Sequence, residues 1–252
     1  MATSKDVAKL ANVSTATVSH VINGTRYVSQ EVKERVRSAM QELEYIPNLA
    51  ASALKTKKTK TVGLLIPINM DESSNIFFMQ IALGIDDVLK EQGYFTFLSN
   101  THDSVEQEII EIQNMKNRQI DGLIIAPGPE DSTALKEVIS GIDTVFIDRI
   151  PAGLENQDCV ISDAVTGSKE AILDMIESGH RQIGLISGMV GNQSTADSRY
   201  EGYRKALAEK QIDYREEWVQ FGHSTVAEGY AMTKALMENH EVTAIFITSN
   251  IM

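Results

Sequence analysis

Between Ser14 and Arg26 the chain gathers side chains suited to reading nucleic acid. Thr15 and Ala16 carry methyl groups that can meet a thymine methyl, and His20 offers an imidazole hydrogen bond to a purine. Ser14, Thr17 and Asn23 add polar groups that suit phosphate oxygens, and Arg26 can reach a guanine or a phosphate. Such contacts require a helix whose first residues lie against base edges in the major groove.

The flanking sequence supplies that support. Asp6 to Ala11 predicts a short first helix, with Val7, Ala8, Leu10 and Ala11 apolar. Asn12 tolerates the left-handed backbone of a tight interhelical turn, and Val13 can fill the angle between the helices. Ser14 is the expected N-cap of a second helix over Thr15 to Asn23, whose packing face is Ala16, Val18, Val21 and Ile22. Gly24 ends it. The spacing of Ala8, Asn12 and Val18 is a helix-turn-helix pattern. Ser29 is the expected cap of a third helix with Val32, Val36, Met40 and Leu43 on its core face and Lys33, Arg35 and Arg37 on solvated faces. A three-helix head over residues 1–46 follows.

Charge assigns DNA contact to this head. The chain as a whole carries a net charge of −12, which by itself argues against nucleic acid. Residues 1–60 nevertheless hold 10 Lys or Arg against 5 Asp or Glu, whereas residues 61–252 hold 13 against 30. A basic head on an acidic body is the footprint of a protein whose body is repelled by phosphate.

Pro47 opens a new segment, and Asn48 to Lys55 is helix-permissive but too short to be stable unless a partner orders it. Residues 47–61 are therefore read as a hinge helix and linker. Asp6-Val7-Ala8, Ala11, Val13-Ser14, Thr17-Val18-Ser19, Val21 and Asn23, followed by Tyr45, Pro47-Asn48, Ala51 and Leu54, resemble the lactose/galactose repressor (LacI/GalR) family of transcriptional regulators. The head is most similar to the purine- and ribose-repressor branch. The resemblance implies a homodimer on a palindromic double-stranded operator, with two hinge helices paired in the minor groove. Leu54 would wedge between base steps and Lys55 would contact the groove beside it. Ser52 stands where family members often carry Arg, which removes a charge facing DNA.

From Val62 apolar runs alternate with amphipathic stretches, which predicts an α/β body of parallel sheets flanked by helices. The irregular stretch Pro151 to Gln157 marks the expected crossing between a first lobe, 62–150, and a second, 151–252. The family's body resembles periplasmic sugar-binding proteins, and ligands of open α/β sheets bind beyond the carboxyl ends of strands. The resemblance implies an effector cleft lined by Asn75, Phe77, Asp148, Arg149, Asp163, Arg199 and Asn250. An Asp-Arg pair and Asn suit vicinal hydroxyls, an aromatic face suits a sugar ring, and Arg199 suits a carboxylate or phosphate. The expected effector is a sugar, sugar acid or sugar phosphate. Asn250 replaces an acid common in the family.

The family pattern continues past Met252 into another helix, so the second lobe is expected to be incomplete. A stand-alone sugar-binding module, or a DNA binder without regulation, is the alternative reading. Catalysis is not expected, because phosphate-loop, nucleophile-elbow and dinucleotide-binding motifs are missing. Ser187-Gly188-Met189-Val190-Gly191 is the nearest approach, without the Lys or third Gly. No cofactor is called for, and the five histidines show no metal-ligand spacing. Cys159 lies in an apolar run and reads as a buried small hydrophobe. No secretory signal or membrane-spanning run is present, so a cytoplasmic protein is expected.

Overall fold

The computed structural model describes residues 2–46, 58–68, 74–128, 133–151, 153–191, 195–238 and 241–252. The expected hinge helix, with Leu54 and Lys55, lies outside the described residues. The chain divides into two units, Met1–Thr59 and Lys60–Met252.

In the head, helix α1 spans Ser4–Leu10, two residues ahead of the expected start at Asp6. The reason is a capping box: Asp6 N donates to Thr3 Oγ1 at 3.4 Å and Thr3 N donates to Asp6 Oδ2 at 2.8 Å. Those Thr3 hydrogen bonds also hold the Asp6 carboxyl below its ordinary range. Asn12 takes φ 50 in the turn, and α2 spans Thr15–Asn23 with Thr17 N donating to Ser14 Oγ at 3.0 Å. Gly24 ends it at φ 63, a left-handed conformation that costs glycine nothing. Helix α3 spans Gln30–Glu42; Ser29 occupies its N-cap position without the expected side-chain capping bond.

Val7, Ala8, Ala11, Val18, Val36 and Ala39 form the buried core of this unit, and Val13, Val21, Ile22, Val32, Met40, Leu43 and Tyr45 pack around it. Each buried valine contributes roughly 1.5–3 kcal/mol of transfer free energy. Ala16, expected on the packing face, is exposed instead. Val18, Val21 and Ile22 already fill the side of α2 turned to α1 and α3, which leaves Ala16 on the opposite side.

The body opens with β1 (Thr61–Ile66), α4 (Ser74–Glu91), β2 (Phe95–Asn100), α5 (Val105–Asn117), β3 (Gly122–Ile125), α6 (Thr133–Val138), β4 (Thr144–Ile147) and β5 (Asp158–Val160). The five strands form one sheet in the order β2-β1-β3-β4-β5, every pair parallel. β1 lies inside the sheet and its side chains alternate between two cores. Leu65 joins Ile112, Met115, Leu123, Ile125 and Phe146 on one face, while Leu64 and Ile66 join Phe78, Ala82, Ala126 and Ile147 on the other. Burial on both faces explains its continuous apolar run.

Two expectations change here. The first sheet extends through β5 to Val160, past the anticipated boundary at residue 150. Cys159 is exposed, not buried, because β5 is an edge strand whose residues are all exposed.

The chain continues through α7 (Ala164–Glu177), β6 (Ile183–Gly188), α8 (Thr195–Glu209), a 3-10 turn (Glu216–Trp218), β7 (Val219–Gly222), α9 (Val226–Glu238) and β8 (Ala244–Ile247). These strands form a second parallel sheet, β7-β6-β8. Ile172, Ile176, Ile183, Leu185, Tyr203, Ala206 and Leu207 form its main core. Gly202 sets the approach of α8 to α7: a Cβ there would lie 2.5 Å from the Val165 carbonyl oxygen. Among the described residues no helix is long and apolar enough to cross a membrane.

Candidate DNA-binding and effector sites

On α2, the cap at Ser14 sets the helix direction and the core at Val18 sets its rotation, so Thr15 and Ala16 are left exposed at its first turn. Thr17 is half-buried, its Oγ1 2.9 Å from Ser14 Oγ. Farther along, His20 Nδ1 lies 2.8 Å from Thr25 Oγ1, which leaves Nε2 as the ring nitrogen free to meet a base edge. Asn23 is exposed but bonded back onto its own helix: its Nδ2 donates to the Ser19 carbonyl at 2.9 Å and to Ser19 Oγ at 3.2 Å. Only its amide oxygen is left for an outside donor. Arg26 is exposed beyond the helix. The exposed surface of α2 thus begins with two methyl-bearing residues and continues to an imidazole, which is a surface that can read base edges. Leu54 and Lys55 lie outside the described residues.

In the body, parallel strands bring every strand's carboxyl end to one edge of each sheet. The order β2-β1-β3 reverses direction at β1, and the order β7-β6-β8 does so at β6; such reversals open a crevice at that edge. The expected effector residues all follow strand ends. Asp148 and Arg149 come directly after β4. Asp148 takes φ 71, and its Oδ2 stands 3.7 Å from Arg149 Nε. Arg149 Nε is buried without a hydrogen bond among the described residues. The Arg149 side chain as a whole keeps 17% exposure, so a ligand oxygen would reach it by a part other than Nε.

Phe77 lies in the first turn of α4, half-exposed and edge-on to the buried Phe78 at 5.1 Å between ring centres. Asn75 occupies the same turn, and its side chain is outside the described set. Asp163 caps α7, accepting from Thr166 N at 3.0 Å. That backbone bond, followed by the Thr166 side chain, holds its carboxyl below the ordinary 3.8. Arg199 is half-buried on α8, and Asn250 is exposed in the turn after β8. Among the described residues no hydrogen bond or ion pair joins Asp148 or Arg149 to Arg199 or Asn250. The structure brings Asp148 and Arg149 together and places the others separately on their own loops and helix starts.

Two positioning groups were not legible in the sequence. Asn100, at the end of β2, grips the loop after β1: its Oδ1 accepts from Ile68 N at 2.8 Å and its Nδ2 donates to Ile68 O at 2.7 Å. Buried Glu108 accepts from Gly128 N at 2.5 Å and so ties down the loop after β3. The one available signal was a polar residue closing an apolar strand, as Asn100 does after Leu98. Among the described residues no cluster of His, Cys, Asp and Glu is arranged to hold a metal ion.

Comparison with known proteins agrees with both halves. Residues 3–48 match the family of bacterial regulatory proteins called the lacI family, and residues 59–250 match the periplasmic binding proteins and sugar binding domain of that family. The chain is 35% identical over 255 residues to the HTH-type transcriptional repressor PurR of Serratia proteamaculans, covering 100% of this chain and 73% of the relative. It is 37% identical to the PurR of Pectobacterium carotovorum subsp. carotovorum, with the same coverage. Among solved structures it is similar to a Lac repressor dimer bound to operator and the anti-inducer ONPF, at 26% identity and a TM-score of 0.79, covering 99% of this chain and 74% of that one. A complex of the transcriptional regulator CelR with cellobiose is 30% identical, with a TM-score of 0.66, covering 100% of this chain and 75% of that one. With both of its regions matched, this chain belongs to the LacI family of bacterial transcriptional regulators.

Proposed function

We propose that this protein is a dimeric, sequence-specific DNA-binding repressor whose hold on a palindromic operator is controlled by a sugar-like effector. The observation that carries the reading is the union, in one chain, of a basic helix-turn-helix head with an acidic body of two parallel sheets. Thr15, Ala16 and His20 read base edges, Arg26 reaches a guanine or phosphate, and Ser14, Thr17 and the Asn23 oxygen face the backbone. Leu54 and Lys55 enter the minor groove, on the strength of the family pattern alone.

Dimerisation is supported by α4, where Ile76, Leu83 and Val88 are exposed, and by Phe95 and Leu98 of β2, also exposed. Apolar surface of that kind is what an isologous interface covers. The effector site takes Asp148 and Arg149 against vicinal hydroxyls, with Phe77, Asn75, Asp163, Arg199 and Asn250 completing it. The CelR–cellobiose relative supports a sugar as its class. Effector binding alters the cost of placing two hinges on DNA, which couples the body to the head. The protein acts in the cytoplasm and is a binding protein without catalytic activity, as its repressor relatives suggest.

The test is selection of duplexes from a random pool by the full chain, followed by affinity measurement with and without a panel of sugars and sugar phosphates. Enrichment of a palindrome, with affinity changed by one compound, supports the reading. No enriched sequence contradicts it.

A further inference from the structure

Tyr27 is 94% exposed, the largest exposure of any bulky apolar side chain among the described residues. Tyr45, in the same unit, packs against the head's core. Among the described residues Tyr27 makes no hydrogen bond and no ring contact. A tyrosine carries some 150–250 Å² of surface that stabilises a protein only when covered, so a head that leaves this one in water gains nothing from it alone.

Its support is nonetheless fixed. Gly24 turns the chain off α2 in the left-handed conformation, and Thr25 is bonded to His20 on the exposed side of α2. The loop therefore continues the surface that α2 presents. Thr25 and Arg26 are exposed beside Tyr27, and the head's charge is positive where the body's is negative. The partner that fits this surface is a nucleic-acid backbone.

We infer that Tyr27 contacts the sugar-phosphate backbone of bound DNA, its ring against a deoxyribose and its phenol donating to a phosphate oxygen. The contact is uncharged, so it adds affinity without displacing a counterion. It positions the head along the duplex and reads no base. The inference rests on the reading of the head as a DNA-binding module.

The experiment uses the full chain with two duplexes, the palindrome it selects from a random pool and a mixed-sequence duplex of equal length. Tyr27→Ala is expected to weaken both by the same factor, about tenfold, and Tyr27→Phe by less, since only the hydrogen bond is lost. The slope of log affinity against log salt stays at its wild-type value. Wild-type affinity of Tyr27→Ala on both duplexes overturns the inference, and so does a loss confined to the selected palindrome. If the wild type binds neither duplex, the DNA-binding reading falls and this inference with it.

Discussion

His20 Nδ1 stands 2.8 Å from Thr25 Oγ1, so a residue in the turn beyond α2 fixes the ring of a residue that faces outward from α2. The bond selects which imidazole nitrogen a base can meet. Thr25→Val keeps the shape and removes the hydroxyl. It is expected to weaken binding to the selected palindrome up to about tenfold, the equivalent of one lost hydrogen bond, with little change on mixed-sequence duplex. Fluorescence anisotropy on both duplexes reads this directly. Equal affinities for the variant and the wild type on the palindrome would show that the bond does not orient His20.

The contact between α7 and α8 depends on the absence of a side chain at Gly202. An added Cβ would meet Val165 O at 2.5 Å and Ser168 Cβ at 2.8 Å. Gly202→Ala is therefore expected to lower stability, because overpacking costs about 1–3 kcal/mol against a helix-propensity gain of roughly 1 kcal/mol. Gly167, on α7, has nothing within 4 Å of its would-be Cβ. Gly167→Ala is expected to raise the thermal midpoint. Calorimetry on the two variants checks the contrast, and a gain for both would show that the helices are free to separate.

Asp163 links acidity to the start of α7. Its carboxyl is held below 3.8 by the Thr166 backbone N–H and then the Thr166 side chain. A depressed folded-state value means that the contribution is present above the unfolded value and is lost as pH falls through the folded one. Asn at this position caps a helix without titrating. The melting midpoint of the wild type should fall faster than that of Asp163→Asn as the pH drops below about 4. Parallel curves through the acid range would remove this role for Asp163.

Much of this architecture was legible because its signals are local. The Ala8, Asn12 and Val18 spacing, the left-handed turns at Asn12 and Gly24, and the cap at Ser14 each depend on neighbours within a few residues. The strand at Val62 to Ile66 was equally plain, since burial on both faces demands an unbroken apolar run. What escaped depends on distant pairing. Cys159-Val160-Ile161 reads as a buried run, yet its exposure follows from β5 lying at a sheet edge, which the run itself does not encode. Ala16 is apolar but faces outward because three other residues of α2 satisfy the core. In the body site, Asp148 and Arg149 were visible as neighbours in sequence. Asn100 and Glu108 were not, because they grip backbone groups of Ile68 and Gly128, 32 and 20 residues away.

Base recognition by α2 is the central claim, and one comparison tests it most directly. The wild type and the double variant Thr15→Ala, His20→Ala are titrated with the selected palindrome and with a scrambled duplex of the same composition, at one salt concentration. Both changed side chains lie outside the packed core, so the head keeps its fold. The His20 hydrogen bond and the Thr15 contact are worth about 0.5–1.5 kcal/mol each, so losing both should cut the preference for the palindrome about tenfold (about 1.4 kcal/mol). Affinity for the scrambled duplex should stay near the wild-type value. An unchanged preference for the palindrome would contradict the account.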